Sequence, residues 1–326
     1  MLKKIISLLL CVFAIVLTAC SKNGSENLNT SSFTIKDDTG YVTAFEKKPE
    51  RILTFSMGLD GIVLGILPPE KMVAVSAMHH DENSSNITPI AKKIPRTVLK
   101  IASEEVMALK PDVVFIYDWG RSNEADALRA IGVKVVVCKG PRNIAEIKRN
   151  IELIAKTLQE EAKGIELIGK MDAKLAQLKE QLGRIPLKKK KKVALVSIMQ
   201  SYGGTGCTYD DICKHANVIN GIADVGLKNG QPLTKEMLVK MNPDVFLLPS
   251  HRFNGFDLDK FNREYFEDPA LQSIAAVQKK QFFNPRDAYI YASSQDVVFG
   301  VQEVARAAYG EEFAQGPNSH LSVVEE

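Results

Sequence analysis

Glu104-Glu105-Val106-Met107-Ala108-Leu109-Lys110-Pro111-Asp112-Val113 is echoed by Lys235-Glu236-Met237-Leu238-Val239-Lys240-Met241-Asn242-Pro243-Asp244-Val245, and this pair of stretches decides the fold. Each reads as a short helix that a proline halts, because the ring blocks a helical hydrogen bond and pushes the preceding residue to an extended conformation. A Pro-Asp turn and a buried apolar run then follow. A unit that occurs twice predicts two similar α/β lobes. Around the first copy, residues 51–55 (RILTF), 72–76 (MVAVS), 113–117 (VVFIY) and 133–138 (VKVVVC) read as buried strands, with helices near 59–66, 103–109 and 123–131. Around the second, 193–199, 245–249 and 281–284 are strand-like, with helical patterns near 209–217, 235–241, 268–273 and 294–309. Short apolar runs alternating with helices imply parallel sheets, so the expected class is α/β with two Rossmann-like, parallel-rich lobes.

Between the two blocks, Ile144, Ile147, Ile151, Ile154 and Leu158, then Ile165, Ile168, Met171, Leu175, Leu178 and Leu182, keep the three-and-four spacing of one helix face. An interruption at 159–164 leaves a second helix of roughly 24 residues, about 36 Å long, able to tie two lobes rigidly across a ligand cleft.

The amino terminus carries a different signal. Lys3 and Lys4 precede an apolar run over residues 5–17, and Leu17-Thr18-Ala19-Cys20 closes it as a lipobox. The run is too short to span a membrane stably, and the charges, length and small residue before the cysteine are those of a lipoprotein leader. Cys20 is therefore the expected lipid anchor. Residues 21–32 (SKNGSENLNTSS) bury too little to fold and read as a tether. The expected organisation is a signal peptide at 1–19, the tether at 20–32, an N-terminal lobe at 33–141, a helical connector at 142–185 and a C-terminal lobe at 186–326.

The chain has 45% hydrophobic and 25% charged residues, an ordinary globular balance. Removing Lys3 and Lys4 with the leader leaves 40 basic against 39 acidic residues, which gives no electrostatic case for nucleic acid. The run Lys188 to Lys192 reads as a solvated linker before a strand. Cys138, Cys207 and Cys213 remain in the mature chain; Cys207 and Cys213 read as a disulfide or two free thiols rather than a metal site, since no second pair has zinc-type spacing.

These features resemble the helical-backbone class of ABC importer solute-binding proteins, the group that handles iron–siderophores, heme and vitamin B12. The resemblance rests on the lipobox, 45–55 (FEKKPERILTF), 64–76 (LGILPPEKMVAVS), 104–115, the Gly203-Gly204-Thr205-Gly206 loop, 233–245 and Asn284-Pro285-Arg286, and it covers nearly all of residues 33–315. It implies a monomeric, extracytoplasmic receptor without enzymatic activity or resident cofactor, partnered by an ABC permease dimer with its ATPase. The leading ligand is an iron(III)–siderophore-type metal chelate, with heme or cobalamin as the alternative. In that family each lobe presents a glutamate to permease arginines; the matching positions are Glu124 and Glu236, with Glu104 the rival for the first.

Open α/β sheets bind ligands at the carboxyl ends of their strands. That rule selects Ser56 and Met57, His79 and His80 beside Met78, and Trp119 and Arg121 in the first lobe. In the second it selects Tyr202, His251, Arg252, Arg286, Tyr289 and Tyr291. Trp119 and the tyrosines could wall a bulky ligand, and the arginines could pair with carboxylates, catecholates or phosphates. His251 with His79 or His80 could hold a heme iron axially; no bare metal site is expected, since the chain has five histidines in all. The glycine loop lacks the lysine-serine/threonine ending of a nucleotide-binding P-loop and is expected to bring backbone close to the ligand. The rivals of a different class are a surface enzyme on a two-lobed scaffold and a lipoprotein adaptor. Against the enzyme stand the missing Gly-x-Ser-x-Gly and His-Glu-x-x-His motifs.

Overall fold

The computed structural model describes residues 32–99, 102–119, 122–197, 199, 201–250 and 257–324. The lipobox with Cys20, and also Arg121, His251 and Arg252, lie outside the described residues.

The N-terminal lobe opens with an antiparallel hairpin of β1 (Phe33–Lys36) and β2 (Val42–Phe45) that the sequence reading did not anticipate. β3 (Ile52–Thr54) then enters helix α1 (Met57–Ile66), and a short parallel pair, β4 (Val75–Ser76) and β5 (Thr97–Val98), follows. Helix α2 (Ser103–Leu109), β6 (Val113–Tyr117), helix α3 (Ser122–Ala130) and β7 (Val135–Cys138) complete the lobe. β3, β6 and β7 form a parallel sheet in that order, every residue of β6 and β7 buried. The strand expected over 72–76 is cut short. Val73 N–H still donates to Ile52 O at 2.8 Å, but Val75 N–H turns to Arg96 O at 3.1 Å, so the chain leaves the main sheet for β5.

Two helices, α4 (Ile144–Thr157) and α5 (Glu161–Gly183), form the connector. The break between them is a left-handed residue, Gln159, with φ of 53°. On α4 the predicted face Ile144, Ile147, Ile151 and Ile154 is buried. On α5 the buried stripe is Gly164, Leu167, Met171, Leu178 and Leu182, and Ile165, expected on it, is 71% exposed. Gly164 sets this azimuth, because it packs onto Ala155 so closely that a Cβ there would lie 2.5 Å from the alanine methyl. The neighbouring Ile165 is rotated about 100° away from that contact.

The C-terminal lobe contains β8 (Lys192–Leu195), helix α6 (Thr208–His215), β9 (Ile219–Asn220), helix α7 (Lys235–Met241), β10 (Val245–Leu247), β11 (Phe282–Phe283) and helix α8 (Val297–Tyr309). Its sheet is parallel in the order β11-β10-β8-β9. The helix expected over 268–273 is only a 3-10 turn, Pro269–Leu271.

The repeated unit does the same work in both lobes. α2 ends at left-handed Lys110 and α7 at left-handed Asn242, each followed by Pro-Asp. The aspartate then locks the strand to its neighbour. Asp112 Oδ2 accepts from Arg51 N–H at 2.9 Å while Asp112 N–H donates to Arg51 O; Asp244 Oδ2 accepts from Lys192 N–H at 2.8 Å while Asp244 N–H donates to Lys192 O. The basic side chain of the neighbour caps the helix: Arg51 Nη2 donates to Leu109 O at 2.6 Å and Lys192 Nζ to Met241 O at 3.2 Å. A cation at the carbonyl end of a helix also meets the negative end of its dipole.

The lobes touch at the root of α1. A Cβ on Gly58 would lie 2.0 Å from Ser293 Oγ and one on Gly61 3.1 Å from Ser294 Cβ, so only glycine permits this approach at Gly58. Gln295 Nε2 donates across it to Gly61 O at 2.7 Å. The terminal segment 315–324 crosses the same seam, Val323 N–H donating to Gly65 O at 2.9 Å. No helix among the described residues is long and apolar enough to cross a membrane.

Candidate functional site

A cleft of about 560 Å³ lies between the lobes at the carboxyl ends of β3, β6, β7, β8 and β11, within the range of small-molecule sites. Of the expected contacts, Ser56, Met57, His79 and Trp119 line it from the N-terminal lobe, Tyr202 and Tyr291 from the C-terminal lobe. A larger groove of about 1140 Å³ continues behind it between α4, α5 and α6, sharing Arg142, Gly206 and Cys207. That groove is lined mainly by the three helices and bounded by paired charges, Lys148 with Asp172 and Lys214 with Asp210, whereas strand-end loops of both lobes converge on the cleft, so the cleft is the better candidate.

On the N-terminal wall, Ser56 caps α1 and accepts from Gly58 N–H at 3.2 Å, which places Met57 at the helix mouth. Asp60, fully buried one turn further, accepts from Thr54 Oγ1 at 2.5 Å and from Ser76 N–H at 3.0 Å. Its Oδ2 lies 3.3 Å from His79 Nε2, while His79 Nδ1 is 2.8 Å from Ser85 Oγ. Both imidazole nitrogens of His79 thus face protein groups. His80 is exposed and does not line the cleft.

Trp119 is held differently. Asp118 N–H donates to Cys138 O at 3.0 Å and Asp118 Oδ1 accepts from Gly140 N–H at 2.7 Å, bracing the loop against the end of β7. The indole rests on Gly140 itself, where a Cβ would fall 1.6 Å from Nε1. It also packs on Tyr117 with ring centroids 4.6 Å apart, and Tyr117 OH crosses the seam to Ser293 O at 2.9 Å. Despite this support Trp119 remains 56% exposed.

Across the cleft, Tyr202 and Tyr291 pack at 5.3 Å between centroids, and Tyr291 OH is 2.9 Å from Ser197 Oγ. Burial raises both phenols above their ordinary range, so they stay neutral. In the glycine loop, the close approach is chiefly to protein. A Cβ on Gly204 would meet the Lys228 carbonyl carbon at 2.5 Å, and only Gly206 reaches the cleft. Cys207 lines the cleft as a buried free thiol donating to Gly204 O at 3.2 Å, and Cys213 is likewise free, with burial raising both.

Two expected contacts are engaged elsewhere. Tyr289 is buried, its hydroxyl among the carbonyls of Gly316, Pro317 and Ser319, each at 3.2 Å, and burial pushes it up to about 12. Arg286 reaches across to the N-terminal lobe, donating to Glu82 O and to Ser85 O, the latter at 3.2 Å. It is an inter-lobe tie, not a free cleft cation.

The sequence reading missed Asn86, Arg142, Met199 and Asp296, all of which line the cleft, while Asp287, also on its wall, lies in the selected stretch 286–291. Arg142 had a signal, because the strand-end rule applies to β7 as it does to β6. Asp296 had none. It is buried at the seam, Oδ2 accepting from Asn86 Nδ2 and His320 Nδ1 at 2.7 Å each, Oδ1 from Leu321 N–H at 2.9 Å. Burial disfavours charge on His320, but the Asp296 carboxylate outweighs it and raises the imidazole. Among the described residues no group of three or more His, Cys, Asp or Glu is gathered to hold a metal ion.

The periplasmic binding protein family model matches residues 55–289. An uncharacterized ABC transporter substrate-binding lipoprotein of Bacillus subtilis, YvrC, is 22% identical over 319 residues, covering 94% of this chain and 97% of its own. Among solved structures, the periplasmic heme-binding protein RhuT of Roseiflexus superposes with a TM-score of 0.69 at 19% identity, over 82% of this chain and 99% of that one. The molybdate-binding protein MolA of Haemophilus influenzae, bound to molybdate, gives 0.69 at 19% identity over 85% and 91%.

Proposed function

Because this chain belongs to the periplasmic binding protein family, as the solute-binding part of an ABC transporter, we propose that its cleft captures an iron(III)–siderophore-type chelate and delivers it to the permease. The observation that carries the reading is Trp119, an aromatic plane held open on a glycine platform at one wall, with Tyr202 and Tyr291 at the other. Such walls suit a bulky ligand with unsaturated or apolar faces. A bare oxyanion of the size of molybdate would leave most of the 560 Å³ unfilled. Axial ligation of heme by His79 is disfavoured, since both its ring nitrogens face Asp60 and Ser85.

Delivery requires oriented docking. Glu236 is exposed in the first turn of α7, and a hydrogen bond from Thr234 holds its carboxyl below the usual carboxylate value, so it stays ionised. The internal repeat places exposed Glu104 at the same second position of α2, whereas Glu124 is half-buried in the first turn of α3. Glu104 and Glu236 are therefore the pair we assign to permease contact, where opposite charge orients the encounter.

Trp119 is the only tryptophan, so its fluorescence reports the cleft directly. Protein comprising residues 21–326 is titrated with ferric siderophores, hemin and cobalamin, with absorbance recorded to correct for inner-filter loss. Saturable quenching by a ferric siderophore is expected. Saturation by hemin or cobalamin alone replaces the ligand class, and no saturable response to any of the three sinks the chelate reading.

A further inference from the structure

Residues 186–190 (PLKKK) leave α5 through a 3-10 turn, Leu187–Lys189, just before β8. Leu187 is 83% exposed, more than any other large hydrophobic residue described. Lys188 and Lys189 are exposed and Lys190 half-buried, and among the described residues none of the three has a carboxylate partner. The next two lysines are used structurally: Lys191 lies 3.9 Å from Asp244, and Lys192 pairs with Asp224 at 2.7 Å while capping α7. The equivalent approach in the N-terminal lobe, residues 46–50 ahead of β3, is neutralised instead. There Glu46 pairs with Lys134, Lys48 with Glu160 and Glu50 with Lys71, and among the described residues Lys47 alone of the four charges has no opposite partner. The uncompensated charge of the C-terminal turn is thus not demanded by the fold.

We propose that Leu187 and Lys188 to Lys190 form a contact for an anionic phospholipid surface. The leucine enters the boundary between headgroups and acyl chains while the lysines neutralise the headgroups; each signal alone is weak, and together they give reversible binding. The placement fits this role. The turn sits at the amino edge of the C-terminal sheet, opposite the strand ends that form the cleft. Phe33, where the described chain begins β1, pairs with Phe45 beside the start of β7, at the amino edge of the other sheet. The chain enters the fold on the side away from the cleft in both lobes. A molecule resting on this turn presents its cleft away from the bilayer, and α7 carries Glu236 at its opposite end, so surface contact and permease docking exclude one another. This surface contact depends on the fold and not on the ligand class.

The test is co-sedimentation of residues 21–326, which include every described residue, with vesicles of mixed phosphatidylglycerol and phosphatidylcholine and with phosphatidylcholine alone. Binding to the mixed vesicles only, weakened by salt, is expected. The triple variant Lys188→Gln, Lys189→Gln, Lys190→Gln is expected to bind roughly a hundredfold more weakly, with the corresponding arginine triple restoring binding. Leu187→Ser falls between. Because Leu187, Lys188 and Lys189 are exposed and half-buried Lys190 has no carboxylate partner among the described residues, the unfolding midpoint stays unchanged and separates lost contact from lost fold. Equal binding to both vesicle types, an unaffected glutamine triple, or binding to soluble polyphosphate without vesicle sedimentation each overturns the proposal.

Discussion

Trp119, beyond β6 of the N-terminal lobe, and Tyr289, in the short helix Asp287–Ile290 beyond β11 of the C-terminal lobe, are both aromatic residues in segments that a parallel sheet aims at its ligand side. One is 56% exposed over Gly140; the other is sealed under the carbonyls of residues 316–319. The lobes share a helix–Pro-Asp–strand unit down to its hydrogen bonds, and the terminal segment bonds to both across the seam, yet it covers a strand-end aromatic residue only in the C-terminal lobe. That segment takes Tyr289 into its packing and ties His320 and Leu321 to Asp296 at the seam. Arg286 is spent on the neighbouring lobe's carbonyls in the same region. The N-terminal wall therefore keeps an aromatic plane open to solvent, and much of the C-terminal wall holds the lobes together.

The largest effect expected from this contrast is at Asp296. Asp296→Ala removes the buried acceptor shared by Asn86, His320 and Leu321, leaving three donors at the seam without their partner, and should cost about 3 kcal/mol. Urea denaturation measures it; a loss below about 1 kcal/mol would show that the terminal segment is a passive cover.

A crossed pair of variants gives an intermediate effect. Trp119→Ala should weaken chelate binding roughly tenfold with little change in stability, because the indole is mostly in solvent in the free protein. Tyr289→Phe should leave binding intact and lower stability by about 1 kcal/mol by orphaning the carbonyls around its hydroxyl. Fluorescence cannot report on the first variant, so calorimetry is the measurement. Equal effects of both variants on affinity would erase the division between the walls.

The smallest effect is on pH dependence. The folded-state pKa of His320 is raised above its ordinary 6.5, so its bond to Asp296 contributes fully below about pH 6.5 and is lost as pH rises through the raised value. Wild-type stability should decline over that window. His320→Gln should flatten the decline, and an unchanged slope would remove His320 from the account.

Much of the architecture was legible along the chain. The repeated unit marked the two lobes because Pro-Asp after an apolar helix can do little else than stop the helix and start a strand. β6 and α7 occupy the expected residues, and the connector bends where Gln159 turns left-handed. Local signals of this kind survive because each is satisfied within a few residues. The azimuth of α5 was not among them. Ile165 fits the spacing, and only the contact of Gly164 with Ala155 shows that it faces water.

The sequence by itself thus determined the class of fold, the order of the elements, and which loops gather at the cleft, since strand polarity and helix periodicity are properties of short stretches. Which side chains in those loops remain free for a ligand was decided only in three dimensions. Tyr289 and Arg286 are withdrawn by partners 27 to 30 and 201 to 204 positions away along the chain, and Asp296 is drawn in by residues from both ends of it. A buried polar group must find a partner wherever the fold brings one, and no pattern of neighbours in sequence says which partner that is.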